Sequence, residues 1–454
     1  MMECGMTVAR INLSHGTREE HREIVTSVRT VAENRCRRCP ILADLPGPKI
    51  RIGRLVEEPL TLTRGAEITL ITRDIPGTAE FIPVAYQRLP ESVSPGSVIY
   101  LNDGFISLRV LSVRDDEVRC TVTTGGQLLP GKGLHIPGAR IFMDAVTEQD
   151  LELMDVALSE GVTTFSVSFV EKADDITRAR LFARGKGKEV FIVAKIERAA
   201  AVENIDEILD VADAIMIARG DLGVEIPIEE VPIVQKQLIR KANLACRPVI
   251  TATQMLESMI DNTRPTRAEA TDVANAILDG TDAVMMSEET AIGQYPVEAV
   301  EVMARIAVAL ERQRHTIRSS VFLQEQLKGE FVNRQITVPD TVSLNVAETV
   351  RALGCPFVMT ATTGGMTARR VSRFKPDCWV LACNNNEEVC DFLRFSYGVF
   401  PVMMDTGTRE WHRRLISLLR DSRLVQKGDR VILTEGKYAG VTGGTDAMGI
   451  ITIT

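Results

Sequence analysis

No excess of basic residues marks this chain. Its 454 residues carry 53 Lys and Arg against 61 Asp and Glu, a formal net charge of −8. Nothing there would recruit a phosphate backbone, so nucleic-acid binding is not expected, although an acidic average can still hide a cationic pocket for a small anion. No run approaches the ~20 continuous apolar residues of a membrane-spanning helix, so no membrane partner is expected. The first residues, Met1-Met2-Glu3-Cys4-Gly5, lack the basic head and apolar stretch of a secretory leader. A cysteine framework is lacking too. Nine cysteines are scattered, and the lone Cys36–Cys39 pair has no second pair or nearby His to complete a zinc set. Reduced thiols in a cytoplasmic protein are the expectation.

What is present reads as a soluble globular protein, 45% hydrophobic and 25% charged. The length exceeds one ordinary core and predicts two or three domains. Short apolar runs alternate with amphipathic helical patterns. Strands are expected at Val8–Leu13, Ile41–Leu45, Thr164–Phe169, Val190–Ile196, Ala214–Ala218, Pro248–Ala252 and Ala283–Met286, and helices at Glu148–Ser159, Glu229–Ala245 and Arg267–Leu278. Such alternation implies a parallel sheet, and seven units suggest a (β/α)8 TIM barrel with one unit unaccounted for.

After Asp44 about a hundred residues pass before the next barrel helix, far beyond an ordinary strand–helix loop. Glu67–Thr72, Ser97–Leu101, Ile106–Val113 and Glu117–Thr123 have strand character, so Gly53 to Pro137 is expected to form an inserted β-barrel lid domain. It would spring from the mouth of the barrel, where active sites sit. A polar stretch, Glu311–Arg334, then reads as a linker. Beyond it, strands at Phe357–Thr360, Trp379–Ala382, Val399–Met403 and Arg430–Thr434 predict a doubly wound C-terminal α/β domain. The expected divisions are 1–52 and 138–315 for the barrel, 53–137 for the insert and 316–454 for the C-terminal domain.

Polar residues at barrel strand ends are the functional candidates. Glu197 and Asp221 are the sharpest pair: two carboxylates at adjacent strand ends, with no His or Cys close in sequence, suit magnesium or manganese. Lys195, two residues before Glu197 in an extended strand, faces the same way and could stabilise charge on a phosphoryl group or an enolate. A purely structural salt-bridge network at the mouth is the competing explanation.

Ile217-Ala218-Arg219-Gly220-Asp221-Leu222-Gly223-Val224-Glu225-Ile226-Pro227 carries more information than any pair. With Ala194–Glu197, Ala252–Met259, Arg264–Glu269, Arg10–Gly16 and Asp103–Leu108 it closely resembles the pyruvate kinases, in the correct order from about Gly5 onward. The resemblance implies a magnesium-dependent transfer of a phosphoryl group from phosphoenolpyruvate to ADP, giving pyruvate and ATP. It assigns the metal to Glu197 and Asp221, the phosphoryl group and enolate to Lys195, and the phosphate also to Arg10. The substrate carboxylate falls to the backbone of Ala218, Arg219, Gly220 and Asp221, and the enolate proton to Thr253 and Ser287. Asn12, His15, Arg51 and Lys132 match positions at the nucleotide.

Two departures matter. Many relatives read Asp-Thr-Lys-Gly-Pro-Glu-Ile-Arg where this chain has Asp44-Leu45-Pro46-Gly47-Pro48-Lys49-Ile50-Arg51. Their potassium site matches Asn12, Ser14, Asp44 and the threonine replaced by Leu45. The Lys49 ammonium is a fixed monovalent cation, so potassium-independent activity is expected. Secondly, relatives carry a strand and helix ahead of the segment matching Gly5–Arg10. The expectation is a translation start upstream of Met1, in preference to a partner or rearrangement that fills the gap. Ser287-Glu288-Glu289-Thr290 keeps the family's serine and acid.

In the C-terminal region, Thr362, Thr363, Gly364, Gly365 and Thr367 match a loop that binds a phosphorylated allosteric effector, although an ordinary strand–helix turn is the plain alternative. The resemblance further implies a homotetramer. Two other classes stay open at this point: a metal-dependent barrel lyase or aldolase acting on pyruvate-type substrates, and an inactive or regulatory chain.

Overall fold

The computed structural model describes residues 1–102, 104–312, 323, 325–327, 329, 336–407, 410–436 and 444–454. Asp103, most of the stretch read as a linker and the division placed between 315 and 316 lie outside the described residues.

Seven parallel strands form one curled sheet in sequential order: Ala9–Asn12, Ile41–Asp44, Thr164–Val167, Phe191–Ile196, Ala214–Ala218, Val249–Ala252 and Ala283–Met285. They are the seven strands expected from the sequence, each trimmed by no more than two residues at an end. Every residue of Ile41–Asp44, Ala214–Ala218 and Val249–Ala252 is buried, as a sheet covered on both faces requires. Among the described residues no ladder joins the first strand to the last.

Local chemistry sets the helices around this sheet. Thr147 and Asp150 exchange a capping box at the start of Glu148–Ser159, and Thr266 with Glu269 does the same for Arg267–Asp279. The latter helix stops at Gly280, whose φ of +100° is the left-handed cap that favours glycine. Phe165, Ile192, Ile215, Ile217 and Leu238 belong to the core between sheet and helices.

The insert folds as a six-stranded sheet over its own core, which includes Leu70, Ile99, Leu108 and Val122. A separate two-stranded ladder pairs Leu60–Leu62 with Gly126–Leu128. Backbone bonds stitch its entry to its return: Leu134 N–H donates to Ile50 O at 2.9 Å, and Ile52 N–H to Lys132 O at 3.0 Å.

The C-terminal sheet has five strands, Val399–Met403, Trp379–Asn384, Phe357–Ala361, Arg430–Gly436 and Thr445–Thr452 in spatial order. The first four are parallel, as expected. The fifth, antiparallel strand is not among the strands expected from the sequence. Its half-exposed run with two glycines close by carries too weak an alternation to announce a strand, and pairing to its neighbour supplies the order.

Phe392 and Phe395 of this domain pack with Leu42, Val193, Met216 and Ile250 from the barrel strands. The Phe191 and Phe392 rings stack with centroids 4.2 Å apart. The C-terminal domain thus closes one end of the apolar interior of the curled sheet, opposite the strand ends that carry the polar residues.

Candidate active site

Parallel strands bring their C-terminal ends to one mouth, and residues far apart in sequence meet there. Asp44 ends the second strand and is almost wholly buried. Arg10 Nε donates to its Oδ2 at 2.9 Å, Ser166 Oγ donates to Oδ1 at 2.6 Å, and Lys195 Nζ lies 3.3 Å from Oδ1. Burial alone would raise the Asp44 carboxyl; Lys195 and Arg10 outweigh it and hold that carboxyl below the usual range.

Lys195 is the hub. Its Nζ reaches Glu197 Oε1 at 3.0 Å and donates to Ser168 Oγ at 2.8 Å. The side chain is only 13% exposed. Burial favours loss of its proton, but Asp44 and Glu197 reverse that and raise its pKa, so the group is a permanent ammonium.

Glu197 is 1% exposed, and its Oε2 accepts the Phe169 N–H at 2.7 Å. Phe169 adopts a φ of +55°, a conformation costly for an aromatic residue, at the turn that aims its N–H at this carboxylate. Gly47 makes room for the same turn: a Cβ there would sit 3.0 Å from both Ser168 Cβ and the Phe169 ring. Burial first, and the charge of Asp221 next, push the Glu197 carboxyl above the usual range.

Asp221 lies in the short helix Arg219–Glu225 and stays about a quarter exposed. Its Oδ1 faces Lys49 Nζ at 3.9 Å and His135 Nε2 at 4.0 Å. Among the described residues no group of three or more His, Cys, Asp and Glu gathers as a metal cage. The donor set is therefore two hard carboxylates, Glu197 flanked by the Lys195 ammonium and Asp221 by that of Lys49. That set fits magnesium or manganese with substrate oxygens completing the shell.

Thr253 and Gln254 hold φ angles of +66° and +52° at the end of Val249–Ala252, local strain of roughly 1–3 kcal/mol each. The Thr253 hydroxyl donates to Ala252 O at 2.7 Å and accepts the Gly220 N–H at 2.8 Å. Arg219 instead turns away from the mouth, to Asp272 at 2.7 Å and Thr253 O at 2.8 Å. In this arrangement its guanidinium positions the Thr253 turn. Ser287 N–H donates to Glu289 Oε2 at 2.7 Å, while Glu289 Oε1 accepts the Leu256 N–H at 3.0 Å.

Other expected positions are more peripheral. Asn12 Oδ1 accepts the Ser14 N–H at 3.1 Å, and His15 is exposed, its carbonyl bonded to the His21 ring at 2.7 Å. Arg51 donates to Gly131 O at 2.8 Å, beside Lys132 on the insert's return. Lys49 sits beside Asp221, whereas Asp44 of the expected potassium region is held by Arg10 and Lys195.

In the C-terminal domain Gly365, at φ +80°, starts the helix Met366–Ser372. Asn384 Nδ2 donates to Thr363 O at 2.8 Å and also to Thr362 O, fixing the loop, while Arg369 reaches Gly364 O at 3.3 Å. Thr367 is hydrogen-bonded to Thr445 at 2.6 Å.

Sequence reasoning overlooked Ser166, Ser168, Phe169 and His135. The two serines stand two apart at a strand end, a same-face alternation that was available as a signal. Phe169 acts through its backbone and His135 arrives from the insert, so neither carried one.

A family model described as pyruvate kinase, barrel domain, matches residues 1–300, and one described as pyruvate kinase, alpha/beta domain, matches residues 340–451. The pyruvate kinase of Thermococcus litoralis is 48% identical over 455 residues, covering 100% of this chain and 94% of its own. That of Geobacillus stearothermophilus is 41% identical, covering 99% and 76%. The crystal structure of a pyruvate kinase from Cryptosporidium parvum superposes with a TM-score of 0.90 at 33% identity, covering 100% of this chain and 92% of that one.

Proposed function

The chain belongs to the pyruvate kinase family, and from that premise we propose that its barrel mouth transfers a phosphoryl group from phosphoenolpyruvate to ADP with magnesium or manganese held by Glu197 and Asp221. Lys195 carries the reading: one buried ammonium within 3.0 Å of Glu197 and 3.3 Å of Asp44, beside the paired carboxylates.

Phosphoryl transfer needs positioning and charge neutralisation more than covalent chemistry. A divalent cation held by Glu197 and Asp221 would supply positive charge against the anionic substrate. The Lys195 ammonium lies where negative charge would develop on the phosphoryl group and then on the enolate, preorganised by Asp44, Ser168 and Glu197. Arg10, held by Asp44, presents its remaining N–H groups to the phosphate. In this reading the Thr253 hydroxyl, on its strained turn, would relay a proton from water to the enolate carbon, leaving its present bond to Ala252 O, and Ser287 is the second residue assigned to that relay. Arg51 and Lys132 on the insert would meet the nucleotide.

Further features of the reading rest on the residues present. Lys49 adds a fixed cation, which supports activity without potassium. The loop Thr362–Thr367, with its backbone braced by Asn384, supports activation by a phosphorylated metabolite. A homotetrameric, cytoplasmic enzyme is the family expectation we adopt; among the described residues no helix is long and apolar enough to cross a membrane.

The test is ATP formation from phosphoenolpyruvate and ADP by the purified chain, titrated with magnesium and with manganese and read through a coupled assay. Saturable turnover that vanishes on chelation is the expected result. Absence of turnover at every metal concentration and pH would sink the proposal.

A further inference from the structure

Immediately after Glu197 stands Arg198, which neither the sequence motifs nor the mechanism above employs. Its side chain is only 10% exposed, yet it meets polar partners in three directions. Nη2 donates to Ala139 O at 3.2 Å, Nη1 pairs with Glu171 Oε1 at 2.9 Å, and Nε faces Glu225 Oε2 at 4.0 Å. Each partner belongs to a segment with its own stake in the site. Ala139 lies on the return from the insert to the barrel and packs against the insert's core. Glu171 follows two residues after Phe169, whose N–H binds Glu197. Glu225 ends the short helix that carries Asp221, and its own side chain is only 7% exposed.

We propose that Arg198 is a positioning residue that ties the return hinge of the insert to the supports of both metal-site carboxylates, so that insert and metal site hold one fixed relation. Its planar fork holds donors on three separate nitrogens in fixed directions, whereas a lysine's three donors share one nitrogen on a flexible stem and cannot span the same three partners. The bond to Ala139 crosses from barrel to hinge at a guanidinium shielded from water, where a charge-assisted bond is strongest. Glu171 and Glu225 keep the cation oriented towards that carbonyl.

The inference deepens the proposed function and rests on it for the manganese and nucleotide read-outs. Hinge mobility is measured independently of turnover, so failure of the catalytic reading and failure of this one are distinguishable. The experiment compares the full chain with R198M and R198K by hydrogen–deuterium exchange, by direct manganese binding and by steady-state kinetics. In R198M, amides of residues 136–142 exchange about tenfold faster, the worth of one charge-assisted hydrogen bond. Protection in the C-terminal sheet stays unchanged. Manganese affinity falls, and the KM for ADP rises by a larger factor than kcat falls. R198K, which keeps the charge but not the fork, restores thermal stability more than hinge protection. Hinge exchange within about twofold of the parent in R198M would overturn the proposal. So would faster exchange spread evenly over the chain, which marks a buried ion pair with a structural role alone.

Discussion

Lys49 Nζ stands 3.9 Å from Asp221 Oδ1, so the ammonium from the entry to the insert faces the more exposed of the two carboxylates proposed to hold the metal. It does not lie over Asp44, whose carboxylate is already neutralised by Arg10 and Lys195. As a fixed charge in the site, Lys49 should make an external monovalent cation dispensable. Replacing sodium and potassium by tetramethylammonium is expected to leave the parent's turnover nearly unchanged. K49Q should lose about tenfold or more in that buffer and recover part of it with potassium. Strong potassium dependence of the parent would refute this.

Lys195 bridges two buried carboxylates, and its loss strips charge stabilisation and takes from Glu197 its neighbouring cation, while Asp44 keeps only Arg10. K195M is expected to lower kcat by about 10²–10³-fold, in line with removal of one preorganised donor. It should also destabilise the fold by roughly 3–5 kcal/mol, because Asp44 and Glu197 remain buried without their shared cation. Steady-state kinetics and urea unfolding check both. The raised Lys195 pKa adds a further expectation: no limb of the pH–rate profile at neutral or mildly alkaline pH belongs to this lysine.

Glu225 offers a signed pH test. Burial pushes its carboxyl up to about 6, from an ordinary 4.5, against the pull of Arg198. A folded-state value above the unfolded one means the stability it contributes is complete below about 4.5 and is lost as pH rises through about 6. A shift from 4.5 to about 6 corresponds to about 2 kcal/mol. E225Q cannot ionise, so its advantage over the parent should be near zero at pH 4.5 and reach about 2 kcal/mol by pH 7.5. Denaturant unfolding across that range decides it; a pH-independent difference contradicts the assignment.

A buried pair links the two large domains. Lys375 Nζ donates to Asp282 Oδ1 at 2.6 Å, and the same oxygen accepts the Tyr397 N–H at 2.9 Å. Oδ2 meanwhile accepts the Val249 N–H at 3.1 Å, tying the starts of the strands that lead to Thr253 and Ser287. K375M should cost about 3–5 kcal/mol in urea unfolding, the penalty for a buried carboxylate left without its cation. A loss below about 1 kcal/mol would show that the two backbone donors suffice.

Much of the fold was legible because its signals are local. Continuous apolar runs such as Ala214–Ala218 mark strands buried on both faces, and Thr147 with Asp150 marks where a helix begins. The antiparallel strand Thr445–Thr452 was not legible, since its order comes from a neighbour. At the site, Lys195, Glu197 and Asp221 stood out by spacing and residue type. Phe169, acting through a backbone N–H at an unusual φ, and Arg198, bonded across three segments, left no comparable trace.

The sequence by itself determined which side chains reach the barrel mouth, because alternation and strand ends dictate direction within each element. Only the tertiary structure decided what each charge does there. Whether Lys49 serves Asp44 or Asp221, whether Arg219 faces substrate or Asp272, and that Phe392 closes the far end of the barrel all depend on distances between elements remote in sequence. Electrostatic roles are set by those distances and by burial, and neither exists until the chain is packed.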